Sequence, residues 1–391
     1  MGDRGSNVWD GYIMGEVKSN RKRVGLIVNP IAGMGGRVGL KGTDGIEVLE
    51  KAIKLGAKPV SPERARVFLD YLKKFNLDIE LITYPKLMGE YEALEAGFKP
   101  TVIGSVGERT SREDTVKAAK LMHSIGVDLI VFCGGDGTAR DICEAIDLNV
   151  PVLGIPAGVK MYSAVFTFNI EDAARIVAEY LAGNLPVKPM EVMDIDEEAF
   201  RCNRLSIKLY GYLLVPYSPG YVQRAKSPTM PMDSELENQR GIAKYVLELM
   251  KPDVLYILGP GTTVKAITDM LGLDKTLLGV DLMLNFKIVA KDVSEADILR
   301  FLDGGGFSKA CIIVSPIGGQ GFIFGRGNQQ ISANVIRRVG VDNIIIVATW
   351  GKISSLDALH VDTGDLELNE KLRGYRRVIV DYREEIIFKV V

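Results

Sequence analysis

The sequence is poor in the residues that build histidine- and cysteine-based chemistry. Its 391 residues include two histidines and four cysteines, and no two cysteines show CxxC spacing. Catalytic triads and multi-histidine metal sites therefore lack the residues they need, and disulfides and structural zinc are not expected. A carboxylate is the expected general base. His123 lies in a predicted helix, and we expect it to be structural.

The chain also lacks a long apolar run and a strong charge of either sign. No stretch approaches the roughly 18 to 20 apolar residues that span a bilayer, and the net charge is −2. No membrane span is expected, and nucleic acid is not a favoured partner. Hydrophobic residues at 47% and charged residues at 25% describe an ordinary globular protein, which we expect to be cytoplasmic. The low glutamine count favours a thermophilic source.

Length and patterning predict two domains with a cleft between them, because the chain is about two to three times the usual domain size. Residues 1–22 are expected to form a polar, poorly ordered leader. Residues 23–185 are predicted to be a nucleotide-binding α/β domain with a Rossmann-like parallel sheet. Residues 186–391 are predicted to be a mixed domain with α/β and antiparallel parts, whose last segment packs back on the first domain.

Alternating periodicity supports this division. In the first domain short apolar runs predict buried strands and helical spacing predicts intervening helices: strands over 24–28, 79–83, 128–133 and 151–155, and helices over 62–75, 111–125, 139–146 and 170–183. In the second, residues 191–215 alternate like antiparallel strands, and the proline-rich residues 217–234 are expected to form a mobile lid.

Glycine-bearing loops follow four of the predicted strands, at residues 29–36, 134–138, 156–158 and 259–263. In a parallel sheet such strand ends gather along one edge, where backbone N–H groups and helix N-termini favour bound phosphate. A nucleotide is the natural ligand. Neither a GxxxxGK[ST] loop nor a GxGxxG after a strand is present. Each loop alone is also compatible with a simple tight turn.

The most informative loop is Gly134-Gly135-Asp136-Gly137-Thr138. Its glycines let phosphates approach the backbone, while one carboxylate is held in the same turn. An aspartate beside phosphate is electrostatically unfavourable, so it should serve as a proton acceptor, a hydroxyl anchor or a magnesium contact. The alternative is an Asx turn that caps the following helix.

Three sequence segments carry a family resemblance: GGDGTARDI at 134–142, VNPIAGMGG at 28–36 and GIPAGVKMYSAVF at 154–166. Together they resemble the superfamily of NAD kinases, diacylglycerol kinases and sphingosine kinases. Residues 324–332 and 362–365 are similar to segments of its ATP-NAD kinase-like, or acetoin-catabolism X-like, branch. The resemblance runs from about residue 23 to the end of the sequence.

The resemblance implies an NAD kinase-like fold and assigns roles to individual residues. Asp136 would be the catalytic carboxylate that orients or deprotonates the acceptor hydroxyl. The nucleotide-binding residues would be Asn29, Gly33, Gly35, Gly134, Gly135, Gly137, Thr138 and Gly158, together with Gly261, Thr262 and Thr263 as a second glycine-rich signature. The Asn-Glu pair by which NAD kinases hold the adenosine part of NAD has no clear counterpart, so the acceptor stays open.

Two further pairs are weaker candidates. Arg326 and Asn328 are candidates to clamp a phosphate or the acceptor, or they belong to an ordinary hydrogen-bonded loop. Asp362 and Asp365 are candidate magnesium ligands, or they lie in a solvated acidic turn.

These observations predict a kinase that transfers a phosphoryl group from ATP or polyphosphate to a hydroxyl of a bound small molecule, with Mg²⁺ or another divalent cation. NAD is the leading acceptor, giving NADP. A lipid, a nucleoside or another metabolite is the alternative acceptor. A nucleotide-binding regulatory protein without turnover is the alternative of another class. We also expect a homo-oligomer.

Overall fold

A computed structural model describes residues 21–40, 46–159, 161–195, 207–218, 222, 232–317 and 320–391. All but the end of the predicted leader lies outside these ranges, as does most of the predicted lid. The strands are β1 (Lys22–Val28), β2 (Ile79–Thr83), β3 (Thr101–Val102), β4 (Leu129–Gly134), β5 (Val152–Pro156), β6 (Val187–Ile195), β7 (Ile207–Pro216), β8 (Val254–Leu258), β9 (Asp281–Leu284), β10 (Lys287–Ala290), β11 (Lys309–Val314), β12 (Phe322–Phe324), β13 (Ile344–Val347), β14 (His360–Val361), β15 (Gly374–Asp381) and β16 (Glu384–Val390).

The described helices are distributed over both halves of the chain. They are α1 (Ile46–Lys54), α2 (Ser61–Lys73), α3 (Glu90–Glu95), α4 (Arg112–Ser124), α5 (Asp136–Ile146), α6 (Ile170–Leu181), α7 (Met232–Leu249), α8 (Thr262–Asp269), α9 (Glu295–Gly304), α10 (Ala333–Val339), α11 (Trp350–Ile353) and α12 (Leu366–Leu372). Short 3₁₀ turns cover Lys86–Met88 and Val341–Asn343. Within these described residues no helix is both long and apolar enough to cross a membrane.

The N-terminal half contains a five-stranded sheet in the order β3-β2-β1-β4-β5, and every neighbouring pair is parallel. Strand β4, which lies between β1 and β5, is buried along its whole length, as its continuous apolar sequence predicts. Helix α2 contributes Phe68, Leu69 and Leu72 to the same core. The predicted Rossmann-like parallel sheet is confirmed.

Helix α5 begins three residues before its predicted start, at Asp136 instead of Ala139. Gly135 precedes it in an extended conformation, with φ −123° and ψ −166°. The glycine at 137 lies inside the first helical turn, where glycine is about 1 kcal/mol less favourable than alanine. That weak helix former conceals the true start from a sequence-based prediction.

The C-terminal half contains a seven-stranded sheet in the order β10-β9-β8-β11-β13-β15-β16. Strands β8, β11, β13 and β15 run parallel, and β9, β10 and β16 join them by antiparallel pairing. An antiparallel pair of β6 and β7 connects the halves in sequence and packs on α5. The predicted mixed second domain is confirmed.

Polar contacts join the two halves across a cleft. The side chain of Gln329 donates to the carbonyl of Val159 at 2.7 Å, and the backbone N–H of Gly327 donates to the same carbonyl at 3.0 Å. The ring of Phe168 stacks on that of His360 with 4.1 Å between centroids. Burial, and then repulsion from a nearby arginine, lowers the pKa of His360 to about 4.

Candidate active site

The carboxyl ends of β1 and β4 form a topological switch point, because β1 leads to β2 on one side and β4 leads to β5 on the other. Ligands in open α/β sheets bind at such crevices. Asn29 follows β1, and its Nδ2 donates to Oγ1 of Thr138, just beyond β4, at 2.9 Å. Its backbone N–H donates to the carbonyl of Cys133 at 3.0 Å. The first two predicted loops are therefore tied together at the crevice.

Asp136 lies at this crevice as the first residue of α5, and 7% of it is exposed. Its Oδ2 accepts the backbone N–H of Tyr162 at 2.7 Å, and its Oδ1 accepts that of Ser163 at 2.9 Å. Two rigid donors thus fix the orientation of the carboxylate. Burial, and then the charge of Asp136, raises the pKa of the Tyr162 phenol, which keeps this neighbour protonated.

Three of the predicted glycines lie where backbones approach closely. Gly33 has φ +80°, and a Cβ there would lie 2.0 Å from the carbonyl oxygen of Ala157. A Cβ on Gly135 would lie 3.0 Å from Cα of Gly158. The loop after β1 and the loop after β4 therefore both pack against the loop after β5. Gly137 is in the first turn of α5, and Gly35 is buried in the turn after β1.

A cleft pocket opens beside these loops, between the two halves of the chain. It is lined by glycine-loop residues of the first half and by polar loops of the second: Gly33, Arg37, Val60, Arg64, Pro156, Ala157, Gly158, Gly325, Arg326, Gln329, Ile331, Ser332, Asp362, Thr363 and Gly364. We call it the arginine pocket, after Arg37, Arg64 and Arg326. Asp362 is the acidic residue in its lining.

Asp362 joins two of these arginines across the cleft. Arg64 donates to it through Nη1 at 3.2 Å and Nη2 at 2.6 Å, and Arg326 donates through Nη1 at 2.8 Å. Burial opposes ionisation of Asp362, but its attraction to both guanidinium groups outweighs burial and lowers its pKa to about 2. Burial, against the attraction of Asp362, lowers the pKa of Arg326 to about 10.

The structure gives the weaker candidates definite partners. Asn328 accepts from the backbone N–H of Gly325 at 3.1 Å and donates to the carbonyl of Ile323 at 2.9 Å, so its amide shapes the loop. Asp365 accepts the N–H of Leu368 at 3.0 Å as the cap of α12 and also pairs with Arg337. Asp362 and Asp365 are therefore bound to arginines. Among the residues that the structure describes, no three His, Cys, Asp or Glu side chains cluster as metal ligands would.

Comparison with known families matches the ATP-NAD kinase N-terminal domain to residues 24–185 and the ATP-NAD kinase C-terminal domain to residues 252–390. The chain belongs to the ATP-NAD kinase family. Comparison with curated proteins gave no match. The residues that carried the resemblance, 134–142 and 28–36, fall inside the first matched domain.

Two similar solved structures are a diacylglycerol kinase from Bacillus anthracis str. Sterne and the yeast NADH kinase complexed with NADH. The first is 22% identical over 46% of this chain and 48% of that chain, with a TM-score of 0.22. The second is 14% identical over 48% and 44%, with a TM-score of 0.26. The chain thus spans less than half the length of each structure.

The fourth predicted loop, residues 259–263, lies on the other sheet. It follows β8, and Thr263 accepts from Nζ of Lys352 at 3.1 Å while Thr262 accepts from Gln239 at 3.2 Å. Lys352 also donates to Oγ of Ser315, just after β11, at 2.8 Å. The prediction that all four loops share one sheet edge is therefore wrong, because residues 254–258 belong to the separate, mixed seven-stranded sheet.

Several residues of the site could not be recognised from the sequence. The N–H groups of Tyr162 and Ser163 are backbone donors, so no side-chain pattern marks them. Arg64 lies at helical spacing among apolar residues of α2 and resembles an ordinary solvated arginine. Its one signal is proximity in sequence to Pro62 at the start of α2, where Ser61 donates to the carbonyl of Ala32 in the glycine loop.

Proposed function

We propose that the protein transfers a phosphoryl group from ATP, or from polyphosphate, to a hydroxyl group of a bound small molecule, with NAD as the leading acceptor. The observation that carries this proposal is the placement of Asp136. Its carboxylate is fixed by two backbone N–H groups at the switch point, beside loops in which a Cβ on Gly33 would clash with Ala157 and a Cβ on Gly135 would crowd Gly158.

The chemistry assigned to Asp136 is proton acceptance. The acceptor hydroxyl donates a hydrogen bond to the carboxylate, and its oxygen attacks the terminal phosphorus of the donor. The new P–O bond forms as the bond to the leaving phosphate breaks, and the hydroxyl proton passes to Asp136. The orientation fixed by Tyr162 and Ser163 removes the need to reorder the base during transfer.

The glycine loops are assigned to the phosphates. Gly135 and Gly137 flank Asp136, and the N-terminus of the eleven-residue helix α5 favours negative charge nearby. Thr138 is held by Asn29, so this threonine side chain has one defined rotamer for contact with a phosphate. Gly261, Thr262 and Thr263 lie after β8 in the other sheet, and their assignment to the nucleotide remains a separate proposal.

A divalent cation is implied by the family. In the part of the chain that the structure describes, no three His, Cys, Asp or Glu side chains form a ready-made metal site. Mg²⁺ commonly keeps phosphate oxygens and waters as ligands, so the nucleotide would supply most of its contacts. No step assigned to the protein passes through the metal.

Product analysis tests the function directly. The full chain is incubated with Mg²⁺, NAD and either ATP or polyphosphate, and NADP and ADP are quantified by mass spectrometry. Formation of NADP supports the proposal and identifies the donor. If ATP is consumed only when a lipid, nucleoside or other hydroxyl compound is added, that compound is the acceptor instead of NAD. Nucleotide binding without consumption in every mixture would contradict the kinase.

A further inference from the structure

We propose that the arginine pocket binds a phosphate group that one of the substrates carries in addition to the group being transferred. The inference rests on the proposed phosphotransfer and adds the class of substrate that the cleft selects. It begins from charge: three guanidinium groups and one carboxylate line the pocket, a formal charge of +2 (3 − 1).

The described residues compensate only part of the buried charge. Arg326 is 3% exposed, the side chain of Arg64 is 12% exposed, and Asp362 is the carboxylate that pairs with both. Two buried cations that share one anion leave one positive charge, which is unfavourable in a site with little water. Arg64 in turn acts to lower the pKa of Arg326, as expected for two cations held close together.

The hydrogen-bonding capacity of the two guanidinium groups is also unfilled. Arg326 donates to Asp362, to the carbonyl of Gly325 at 3.3 Å and to that of Phe168 at 3.2 Å. Arg64 makes its two bonds to Asp362. Both Nε atoms are buried without a partner among the described residues. Each guanidinium carries five N–H donors, so about half of the ten lack an acceptor from this part of the chain.

A phosphate group supplies what is missing. It carries up to two negative charges and several acceptor oxygens, and guanidinium forks match phosphate geometry in bidentate pairs. Arg37 is exposed at the pocket and offers a further cation without a large desolvation cost. Asp362 already orients the guanidinium groups of Arg64 and Arg326. The phosphate would bind beside Asp362 and accept hydrogen bonds from the free N–H groups of both arginines after a small side-chain adjustment.

The position of the pocket connects it to the transfer site. Gly33 and Gly158 line the pocket, and Gly158 packs against Gly135, which precedes Asp136. A substrate phosphate held by the arginines would thus border the loop that carries the catalytic carboxylate. This arrangement favours a substrate with phosphate groups along its length, either the donor's phosphate chain or a phosphate of the acceptor, over a neutral acceptor alone.

Calorimetry on the full chain tests the site with sodium tripolyphosphate as the probe, at constant ionic strength. Arg37→Gln changes an exposed residue and should weaken tripolyphosphate binding at least threefold, and Arg64→Gln should weaken it about tenfold or more. Arg337→Gln is the matched control, because this arginine pairs with Asp365 outside the pocket. The tripolyphosphate affinity of this variant should stay within twofold of the wild type. Asp362→Asn should tighten tripolyphosphate binding, because it removes the negative charge beside the anion. A purely structural role for the cluster predicts a lower affinity instead.

The same titrations with ATP and with NAD identify the source of the phosphate, because the substrate that occupies the pocket loses affinity in the same variants. Unchanged tripolyphosphate affinity in folded Arg37→Gln and Arg64→Gln, or no binding to the wild-type protein, would overturn the proposal. If Arg64→Gln does not fold, Arg37→Gln decides. Arginine-dependent binding without turnover would refute the proposed function alone, whereas normal turnover with arginine-independent binding would refute this site alone.

Discussion

The substitution Gly33→Ala tests how closely the loop after β1 packs against the loop after β5. The glycine has φ +80°, and a Cβ would lie 2.0 Å from the carbonyl oxygen of Ala157 and 3.4 Å from Cβ of Val60. Ordinary contacts begin near 3.4 Å, so the two loops would have to separate by about 1.4 Å. Separation would strain the bonds from Ala157 N and Gly158 N to the carbonyl of Gly134, at 2.8 and 3.1 Å.

Gly56→Ala supplies the matched control. Gly56 has φ +81°, yet a Cβ there would meet nothing within 4 Å. Both substitutions place alanine in the left-handed region, which costs about 1 to 2 kcal/mol. Gly33→Ala should lose about 2 kcal/mol more, from the clash and from weakened hydrogen bonds worth about 1 kcal/mol each.

Urea unfolding followed by circular dichroism compares the two variants with the wild type. We expect the midpoint of Gly33→Ala to fall well below that of Gly56→Ala. We also expect weaker ATP binding in Gly33→Ala alone, because the displaced loop borders the arginine pocket. Equal losses of stability in the two variants would refute the close packing of these loops.

Three further substitutions have defined outcomes. Asn29→Ala removes the bond to Thr138 and one from Ile31 N–H at 3.3 Å; it should cost about 1 kcal/mol of stability and raise KM for ATP, and an unchanged KM would separate Asn29 from the site. Gly135→Val keeps an allowed backbone, since φ is −123°, but crowds Gly158; ATP affinity should fall at least tenfold in a folded protein, and an unchanged Kd would remove this loop from the site. Burial raises the pKa of Glu92 to about 7 even though the N–H of Gly89 donates to it. The wild type should therefore lose stability as the pH rises from about 4.5 through 7, by about 1.4 kcal/mol for every pH unit between those two values. Glu92→Gln should abolish that loss. Identical pH dependence of the free energy of unfolding in the wild type and in Glu92→Gln would contradict this prediction.

Much of the fold follows from short-range sequence patterns. The run at 24–28 and the residues that follow Asp128 up to Cys133 are apolar because both faces of an interior parallel strand are covered, and the structure confirms these runs as β1 and β4. Helix α5 began earlier than predicted because Gly137 disguises its first turn. Such boundaries depend on backbone conformations that weak helix formers do not reveal.

The assembly of the site was less accessible to sequence reasoning. Glycine loops mark strand ends, but nothing in a loop states to which sheet its strand belongs, so residues 259–263 were grouped with loops of the first half. The ion-paired cluster of Arg64, Arg326 and Asp362 joins residues separated by up to 298 positions. Only the fold brings these charges together, and the orphaned Nε atoms become visible only after burial is known.

The central claim is that Asp136 accepts the proton of the acceptor hydroxyl, and Asp136→Asn tests it most directly. Asparagine keeps the shape but removes the charge and leaves one of the two N–H donors, from Tyr162 or Ser163, without an oxygen acceptor. Turnover with saturating ATP and the acceptor identified by product analysis should fall about 100-fold or more, while calorimetry should show ATP bound with an affinity within a few-fold of the wild type. A folded Asp136→Asn protein with wild-type turnover would contradict the claim.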